Sequence, residues 1–516
     1  MGFLGKLVRH KTIEQLQAEA GTRSDFRRVL GLWQLTAIGI GGIIGVGIFV
    51  LAGQQAAMNA GPAVAISFLI AGFGSACAAL CYAEFAGLIP VTGSAYTYGY
   101  AVLGELPAWI IGWDLLVEYA LIVGVVAAGT SNYLQSLIAQ VTGLHLPVFL
   151  QAAYDPAHPD SGRGINLIAM LVALGVAALQ VARTEVGARF NTVVVALKVL
   201  GVIVVVMVGA FYVNTANWTP FIPPLVHDAA ATGGTRYGVG GMLAAASIVF
   251  FAVFGYDTLT TAAEESKNPQ RDLPLAVVAS LGVAMAMYLA ISLVLTGMVP
   301  YNGCVDPSQV PGQCTEMILA SSAPVSAVFA ARDLHWISGI INIAAVCGIA
   351  SVVFAFMLGA ARIWFALSRD GLLPAWFAKS HPKYGTPHRP TIMLGVFTAL
   401  AAGLLPIREL AELVNIGTLS AFIVICASVL ILRITQPNLE RRFRTPALWL
   451  LAPLGIVFSL FLIIGWPWVT DGRFHMIGGL DMVTIWRFLI WMGIGLVIYF
   501  AYGMRHSQLG REKANG

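Results

Sequence analysis

The chain has 516 residues, of which 58% are hydrophobic and only 10% charged, with a mean hydropathy of +0.81 and a formal net charge of +4. Soluble domains carry about 25% charged residues, so this composition excludes an ordinary soluble protein and indicates an integral membrane protein. The small basic excess sits in loops on one side and gives no ground for a nucleic-acid partner.

Residues 1–30 mix Phe3, Leu4, Leu7 and Val8 with Lys6, Arg9 and Lys11, which suits an amphipathic helix on a membrane surface. No short apolar segment with a small-residue cleavage site precedes the first span, so no removed signal peptide is expected. Twelve apolar stretches of spanning length follow, at 32–53, 62–88, 106–139, 164–182, 191–213, 240–262, 274–299, 335–366, 390–406, 411–433, 447–468 and 486–503. Lysine and arginine concentrate in the N-terminal segment and in every second loop, for example Arg183, Arg189, Lys267, Arg271, Lys379, Arg441, Arg442 and Arg505. The opposite loops hold only Arg163, Arg236, Arg332, Arg408 and Arg473. This asymmetry predicts an even number of spans with both termini in the cytoplasm. Cys304 and Cys314 then fall in an external loop, where a disulfide is chemically allowed. Cys77 and Cys81, one helical turn apart, read as small core residues, and the six cysteines form no metal-ligand spacing.

The first span contains Gly39-Ile40-Gly41-Gly42-Ile43-Ile44-Gly45-Val46-Gly47-Ile48-Phe49. Each glycine costs a helix interior about 1 kcal/mol relative to alanine, so a plain anchor has no use for five of them. Non-helical backbone at membrane depth is tolerated where it is buried in protein or lines a polar cavity. The cluster therefore predicts a broken helix whose freed N–H and C=O groups bind something small and polar. Close helix packing through small residues is the plainer alternative. The sixth span carries a second interruption, Phe250-Phe251-Ala252-Val253-Phe254-Gly255-Tyr256-Asp257-Thr258. A broken first span matched by a broken sixth predicts a five-plus-five inverted repeat with the binding site between the breaks.

Ionisable residues at membrane depth are functional candidates by default. Lys198 stands in an otherwise apolar fifth span, and snorkelling to the interface is its alternative role. Asp114 and Glu118 share one face of the third span, and Asp257 follows the sixth-span break. For all three, a structural hydrogen bond or a solvated position competes with a part in proton or cation chemistry. Glu84, Glu264 and Glu265 read as gate or loop contacts, and His335 as interfacial. Phe251, Phe254 and Tyr256 are candidate lids over a substrate, and Ile349 of the eighth span a candidate wall of its side-chain pocket.

Six segments in chain order resemble the amino acid–polyamine–organocation transporters, and within them the bacterial cationic amino acid transporter family. They are the glycine run at 39–49, Ala-Leu-Cys-Tyr-Ala-Glu-Phe-Ala at 79–86, Val-Thr-Gly-Ser-Ala-Tyr-Thr-Tyr at 91–98, Ala-Ala-Glu-Glu-Ser-Lys-Asn-Pro-Gln-Arg-Asp-Leu-Pro at 262–274, Ala-Leu-Ser-Arg-Asp-Gly-Leu-Leu-Pro at 366–374 and Asn-Ile-Gly-Thr-Leu-Ser-Ala-Phe at 415–422. The resemblance implies an all-α membrane protein of the LeuT type: twelve transmembrane helices, a five-plus-five inverted repeat and two additional C-terminal helices. The implied division is a cytoplasmic amphipathic segment at 1–30, a first repeat at 31–213, a second at 214–435, helices eleven and twelve at 436–504 and a cytoplasmic tail at 505–516.

The resemblance also implies L-α-amino acids as substrates, in a multi-pass protein of the bacterial cytoplasmic membrane surrounded by lipid. By position, backbone N–H groups of Val46 and Gly47, beside Gly45, would meet the substrate carboxylate. Carbonyls of Ile43, Phe251 and Phe254, beside Gly255 and Asp257, would meet its ammonium. Helix dipoles agree, since N–H groups opening one half-helix are positive in character and carbonyls closing the other are negative. Lys198 would stand where sodium-coupled relatives hold a sodium ion, with Ser351 as its hydroxyl partner. A fixed ammonium there disfavours sodium and makes Lys198, Ser351 and Glu118 the proton-coupling candidates. The leading function is proton-coupled uptake of L-amino acids by alternating access. A sodium- and proton-independent exchanger is the transporter alternative, and an amino acid sensor the alternative of another class, though a sensor is expected to carry an added soluble domain. The sequence holds no metal cluster, phosphate loop or nucleophile–base pair, so neither enzyme activity nor a cofactor is expected.

Overall fold

The computed structural model describes residues 9–13, 15, 30–91, 93–155, 159–182, 184–227, 235–261, 263, 266–306, 308–309, 311, 314, 316–379, 381, 386–470, 473–477, 480 and 482–515. Most of the expected surface helix at 1–30, and Glu264 and Glu265, lie outside the described residues.

The long helices follow one another as α1 (Leu32–Ile43), α2 (Val64–Leu88), α3 (Glu105–Thr142), α4 (Leu167–Ala182), α5 (Thr184–Ala210), α6 (Gly238–Val249), α7 (Pro269–Met298), α8 (His335–Arg369), α9 (His388–Leu404), α10 (Ile407–Thr435), α11 (Leu448–Ile464) and α12 (Met482–Ile498). By length and composition, eight stretches among the described residues are apolar and long enough to cross a membrane, and Leu32–Ile43, Leu167–Val181 and Leu448–Ile464 are shorter apolar helices.

Two expected spans are interrupted. The first leaves α-helical geometry after Ile43 and resumes as π and α turns from Gly47 to Ala60. The sixth gives way after Val249 to a 3-10 turn, Phe250–Ala252, and resumes at Asp257–Thr260. The eleventh is shorter than its hydropathy suggests. It stops at Ile464 because Gly465 takes φ +87, and the chain turns into a hairpin, Trp466–Thr470 paired with Arg473–Ile477. A second, two-residue pairing joins Val226–His227 to Thr235–Arg236.

The most extensive helix packing joins α3 to α8, then α2 to α7 and α4 to α9. α3 is buried along most of its length, so it forms the axis of the bundle. α12 is the opposite: Trp486, Leu489, Ile490, Ile494 and Val497 are all exposed. An outer face this apolar suits hydrocarbon and not water.

Candidate functional site

The two breaks meet backbone to backbone. A Cβ on Gly42 would stand 2.7 Å from the Gly255 carbonyl oxygen, and one on Gly255 would stand 2.8 Å from the Gly42 oxygen. Gly255 also holds φ +113, a conformation that disfavours any side chain. Gly47 lies so close to Ala252 of the sixth-span turn that a Cβ there would overlap it. The glycine cluster thus lets two broken segments touch without side chains between them.

Beside this contact lies a narrow cavity. Its wall is Gly42, Ile43, Gly45, Val46 and Gly47 from the first break, Phe251, Ala252 and Phe254 from the second, Ile122 and Val126 from α3, and Val352 and Phe356 from α8. Every one of these side chains is apolar or absent, so backbone supplies the polarity. The last α-type bond before the break runs from the Ile44 amide to the Ile40 carbonyl. Ile48 and Phe49 amides then donate to Gly45 at 3.2 and 3.3 Å. The Val46 and Gly47 amides open this new segment, where the helix dipole favours an anion. Across the cavity, the Phe251 and Phe254 carbonyls accept from no described residue. The first break thus carries amides that open a helical segment and the second carries carbonyls with no described donor, the two kinds of group that a zwitterion needs.

Lys198 is fully buried and reaches the first break from α5. Its Nζ donates to the Gly41 and Ile44 carbonyls, both at 2.7 Å, to Ser351 Oγ at 2.9 Å and, more weakly, to the Gly348 carbonyl at 3.4 Å. Ser351 in turn donates to Gly348 at 2.7 Å. The snorkelling alternative for Lys198 is set aside by this burial. The ammonium is solvated by peptide oxygens on two helices, with no carboxylate in the set.

Three carboxylates lie deeper along α3 and past the second break. Tyr119 donates a hydroxyl to Asp257, and Thr418 donates to Glu118 at 2.7 Å. One oxygen each of Asp114, Glu118 and Asp257 is buried with no donor among the described residues. None of the three lines the cavity. Glu84 is a structural anchor: Arg433 grips it at 2.8 Å through both oxygens, Arg441 lies 3.1 Å away and the Thr445 amide donates at 2.8 Å. His335 is exposed at the start of α8, and Cys304 and Cys314 are joined by a disulfide.

Of the residues singled out by sequence, Ile43, Gly45, Val46, Gly47, Phe251 and Phe254 lie in the cavity wall, and Gly255 forms the contact between breaks. Ile349 does not line the cavity; it is buried one turn before Val352, and Val352 and Phe356 form the α8 wall. Tyr256 is no lid, because its hydroxyl is turned toward α2, where it donates to the Ser75 carbonyl at 3.1 Å. Sequence reading missed Ile122, Val126, Val352 and Phe356, as well as Tyr119, Tyr133 and Tyr288, whose hydroxyls meet the broken segments.

Residues 30–500 match the sequence model of the family described as "Amino acid permease". The chain is 42% identical over 511 residues to the branched-chain amino acid permease BcaP of Bacillus subtilis, covering 98% of this chain and all of that one. It is 38% identical over 510 residues to the methylthioribose transporter of the same organism, again covering 98% and 100%. A cationic amino acid transporter of the Arabidopsis thaliana vacuole is 32% identical over 441 residues, 84% of this chain and 68% of the relative.

Proposed function

The chain belongs to the amino acid permease family of the amino acid–polyamine–organocation superfamily, transporters and not enzymes, and from that premise we propose that it takes up L-amino acids with apolar side chains, driven by protons. The observation that carries this reading is the cavity between the two breaks. Val46 and Gly47, whose amides open a helical segment, and Phe251 and Phe254, whose carbonyls have no described donor, belong to its wall, with only apolar side chains around them. A carboxylate and an ammonium would each complete one wall, and losing either from a substrate would strand buried polar groups at a cost of several kcal/mol. A guanidinium or a lysine ammonium would find no counter-charge in the wall, so the wall favours the substrate class named for the branched-chain relative over that named for the cationic one.

Transport would follow the LeuT-type five-plus-five scheme, with repeats at 31–213 and 214–435, helices eleven and twelve outside them, and both termini in the cytoplasm of a bacterial cell. The pairing of α2 with α7, α3 with α8 and α4 with α9 supports this, since helices related by a pseudo-two-fold axis and lying near it pack on their own counterparts. Lys198 would couple protons to the cycle. Charged, it holds the Gly41 and Ile44 carbonyls to Ser351; neutral, it has too few protons for all of them, so protonation biases the packing of α1 on α5 and α8. Uptake of a labelled panel into proteoliposomes, with and without an inward-acid pH gradient and with sodium replaced by choline, tests the whole reading. The panel includes leucine, valine, arginine and methylthioribose. PH-driven uptake of leucine or valine is expected. A need for sodium, or uptake of methylthioribose alone, would overturn it.

A further inference from the structure

The C-terminal tail does not hang free. After α12 the chain makes a π turn, Tyr499–Gly503, and two short helices, Met504–His506 and Gln508–Asn515. Tyr499 is fully buried, and the tail then folds back on the bundle, where Ser507 and Leu509 are buried too. The stretch Met504-Arg505-His506-Ser507-Gln508-Leu509-Gly510-Arg511-Glu512-Lys513 is polar enough to stay in water, so its docking depends on specific partners.

Two acidic residues receive it. Glu105, the first residue of α3, is fully buried. Its Oε2 accepts from the Ser507 hydroxyl and, at 3.0 Å, from Tyr100 of the short helix Ala95–Val102. Its Oε1 accepts from Tyr499 at 2.9 Å and lies 3.5 Å from Arg9 of the N-terminal segment. Asp370, directly after α8, accepts from Lys11 at 2.9 Å and from Tyr96 at 2.6 Å. Its carbonyl accepts from the Gln508 amide at 3.0 Å. Two glycines leave room for the tail. A Cβ on Gly371 would overlap the His506 carbonyl oxygen, and one on Gly510 would overlap the Arg9 guanidinium. Arg9 and Lys11 belong to the segment that leads into α1. The tail therefore holds that segment against the start of α3 and the end of α8, the two helices whose Ile122, Val126, Val352 and Phe356 wall the cavity.

We propose that the C-terminal tail is an autoinhibitory latch: docked on Glu105, Asp370 and Arg9, it clamps the N-terminal segment onto the ends of α3 and α8, keeps that end of the bundle shut and slows transport. The inference rests on the transport reading above, in which each end opens once per cycle. The contacts suit a latch. On release, water can replace the partners of Ser507 and of the Gln508 amide, while Glu105 keeps Tyr100, Tyr499 and Arg9. Docked and undocked tails are then two states divided by a few polar contacts, and removing those contacts shifts the population.

The test compares wild type, a chain ending at His506, Gly510→Val and Arg511→Ala. Amide hydrogen exchange is followed in detergent, and L-leucine uptake in proteoliposomes, normalised to reconstituted protein. Gly510→Val drives a side chain into Arg9 and lifts the tail with its donors intact; it carries the test if the shortened chain does not assemble. Arg511 is exposed, and Arg511→Ala should match wild type. In the two latch variants the amides of 95–102 and 366–371 are expected to exchange about tenfold faster, with the centre of α3 unchanged, and Vmax for leucine to rise about threefold. Unchanged protection in both variants overturns the proposal. Faster exchange with a lower Vmax, or exchange spreading through α3 and α8, overturns it as well, because the tail would then be a structural brace. Wild-type protein that takes up no amino acid of the panel overturns the transport reading and the latch together, whereas leucine uptake whose Vmax neither variant raises overturns the latch alone.

Discussion

The break in α1 is held by side chains from three other helices: Lys198 of α5 on Gly41 and Ile44, Tyr288 of α7 on Ile43, and Tyr133 of α3 on Phe49 at 2.5 Å. The break after α6 is held largely by its own threonines. Thr258 donates to Gly255, Thr260 to Asp257 and Thr261 to Thr258, each at 2.6 Å, and among its neighbours Ser75 of α2 supplies a further bond to Val253 at 2.7 Å. Local hydroxyl bonds of this kind travel with the segment that makes them. The second break thus carries more of its bonds within itself, beside those from Ser75 of α2 to Val253, Tyr119 of α3 to Asp257 and Arg362 of α8 to the Thr261 carbonyl. The first has its shape set by its neighbours, one of them a lysine. Any rearrangement that moves α1 away from α5 must undo the Lys198 bonds, whereas the threonine bonds survive it.

The largest effect that separates the two breaks should come from bulk at the first. Gly47→Leu would drive a side chain into Ala252 and the Tyr288 hydroxyl, and Gly45→Leu into Val352, whose Cγ2 would be 2.9 Å from the new Cβ. Both variants are expected to lose at least a hundredfold in leucine affinity in detergent while still eluting as a single species. Affinity that survives both substitutions would move the site away from this stretch.

Next in size is the charge. Lys198→Ala should lose pH-gradient-driven uptake by more than tenfold, yet retain measurable leucine binding, because Lys198 is absent from the cavity wall. Lys198→Arg should not restore it, since a guanidinium keeps its proton. Uptake under an imposed pH gradient with choline in place of sodium reads this directly. Undiminished driven uptake in Lys198→Ala would turn attention to Asp257 or Glu118, each of which has one buried oxygen with no donor among the described residues.

A smaller and different effect is expected at the self-held break. Thr258→Val removes one intrasegment bond, worth about 1 kcal/mol. Thermal stability should drop by a few degrees, with KM for leucine changed less than about threefold and the pH dependence of uptake unaltered. If Thr258→Val abolished proton-driven uptake as Lys198→Ala does, the division between a self-held and a neighbour-held break would be wrong.

Much of this was readable from the chain because its signals are local. Five glycines within nine positions, or one lysine in an apolar helix, declare themselves without any partner. The pins do not. Tyr288 meets Ile43 across 245 residues of sequence, and a tyrosine in a membrane helix looks the same whether it faces lipid, interface or a freed carbonyl. The phase of α8 was equally hidden. Its central stretch, Ile349 to Met357, is almost entirely apolar, so no polar face marks its outside, and expectation fell on Ile349 one turn from the wall that Val352 and Phe356 form. The early stop of α11 at Gly465 was masked because Trp466, Pro467 and Trp468 keep hydropathy high while the backbone leaves the helix.

The finest test of the neighbour-held break is Ser351. Its hydroxyl accepts from Lys198 at 2.9 Å and donates to the Gly348 carbonyl at 2.7 Å, so it relays the lysine to the backbone of α8. Ser351→Ala leaves the ammonium with the Gly41 and Ile44 carbonyls at 2.7 Å, and the Gly348 oxygen, now free of Ser351, lies 3.4 Å from Nζ. The cation thus keeps most of its shell, and driven leucine uptake should fall only about two- to threefold. The sharper measurement is the double variant. If Ser351 matters only as a partner of Lys198, the pair of substitutions should do no more harm than Lys198→Ala alone, since residues in one hydrogen-bonded network are not additive. A double variant worse by the full product of the single effects would show that Ser351 acts on transport by a route that does not pass through the lysine.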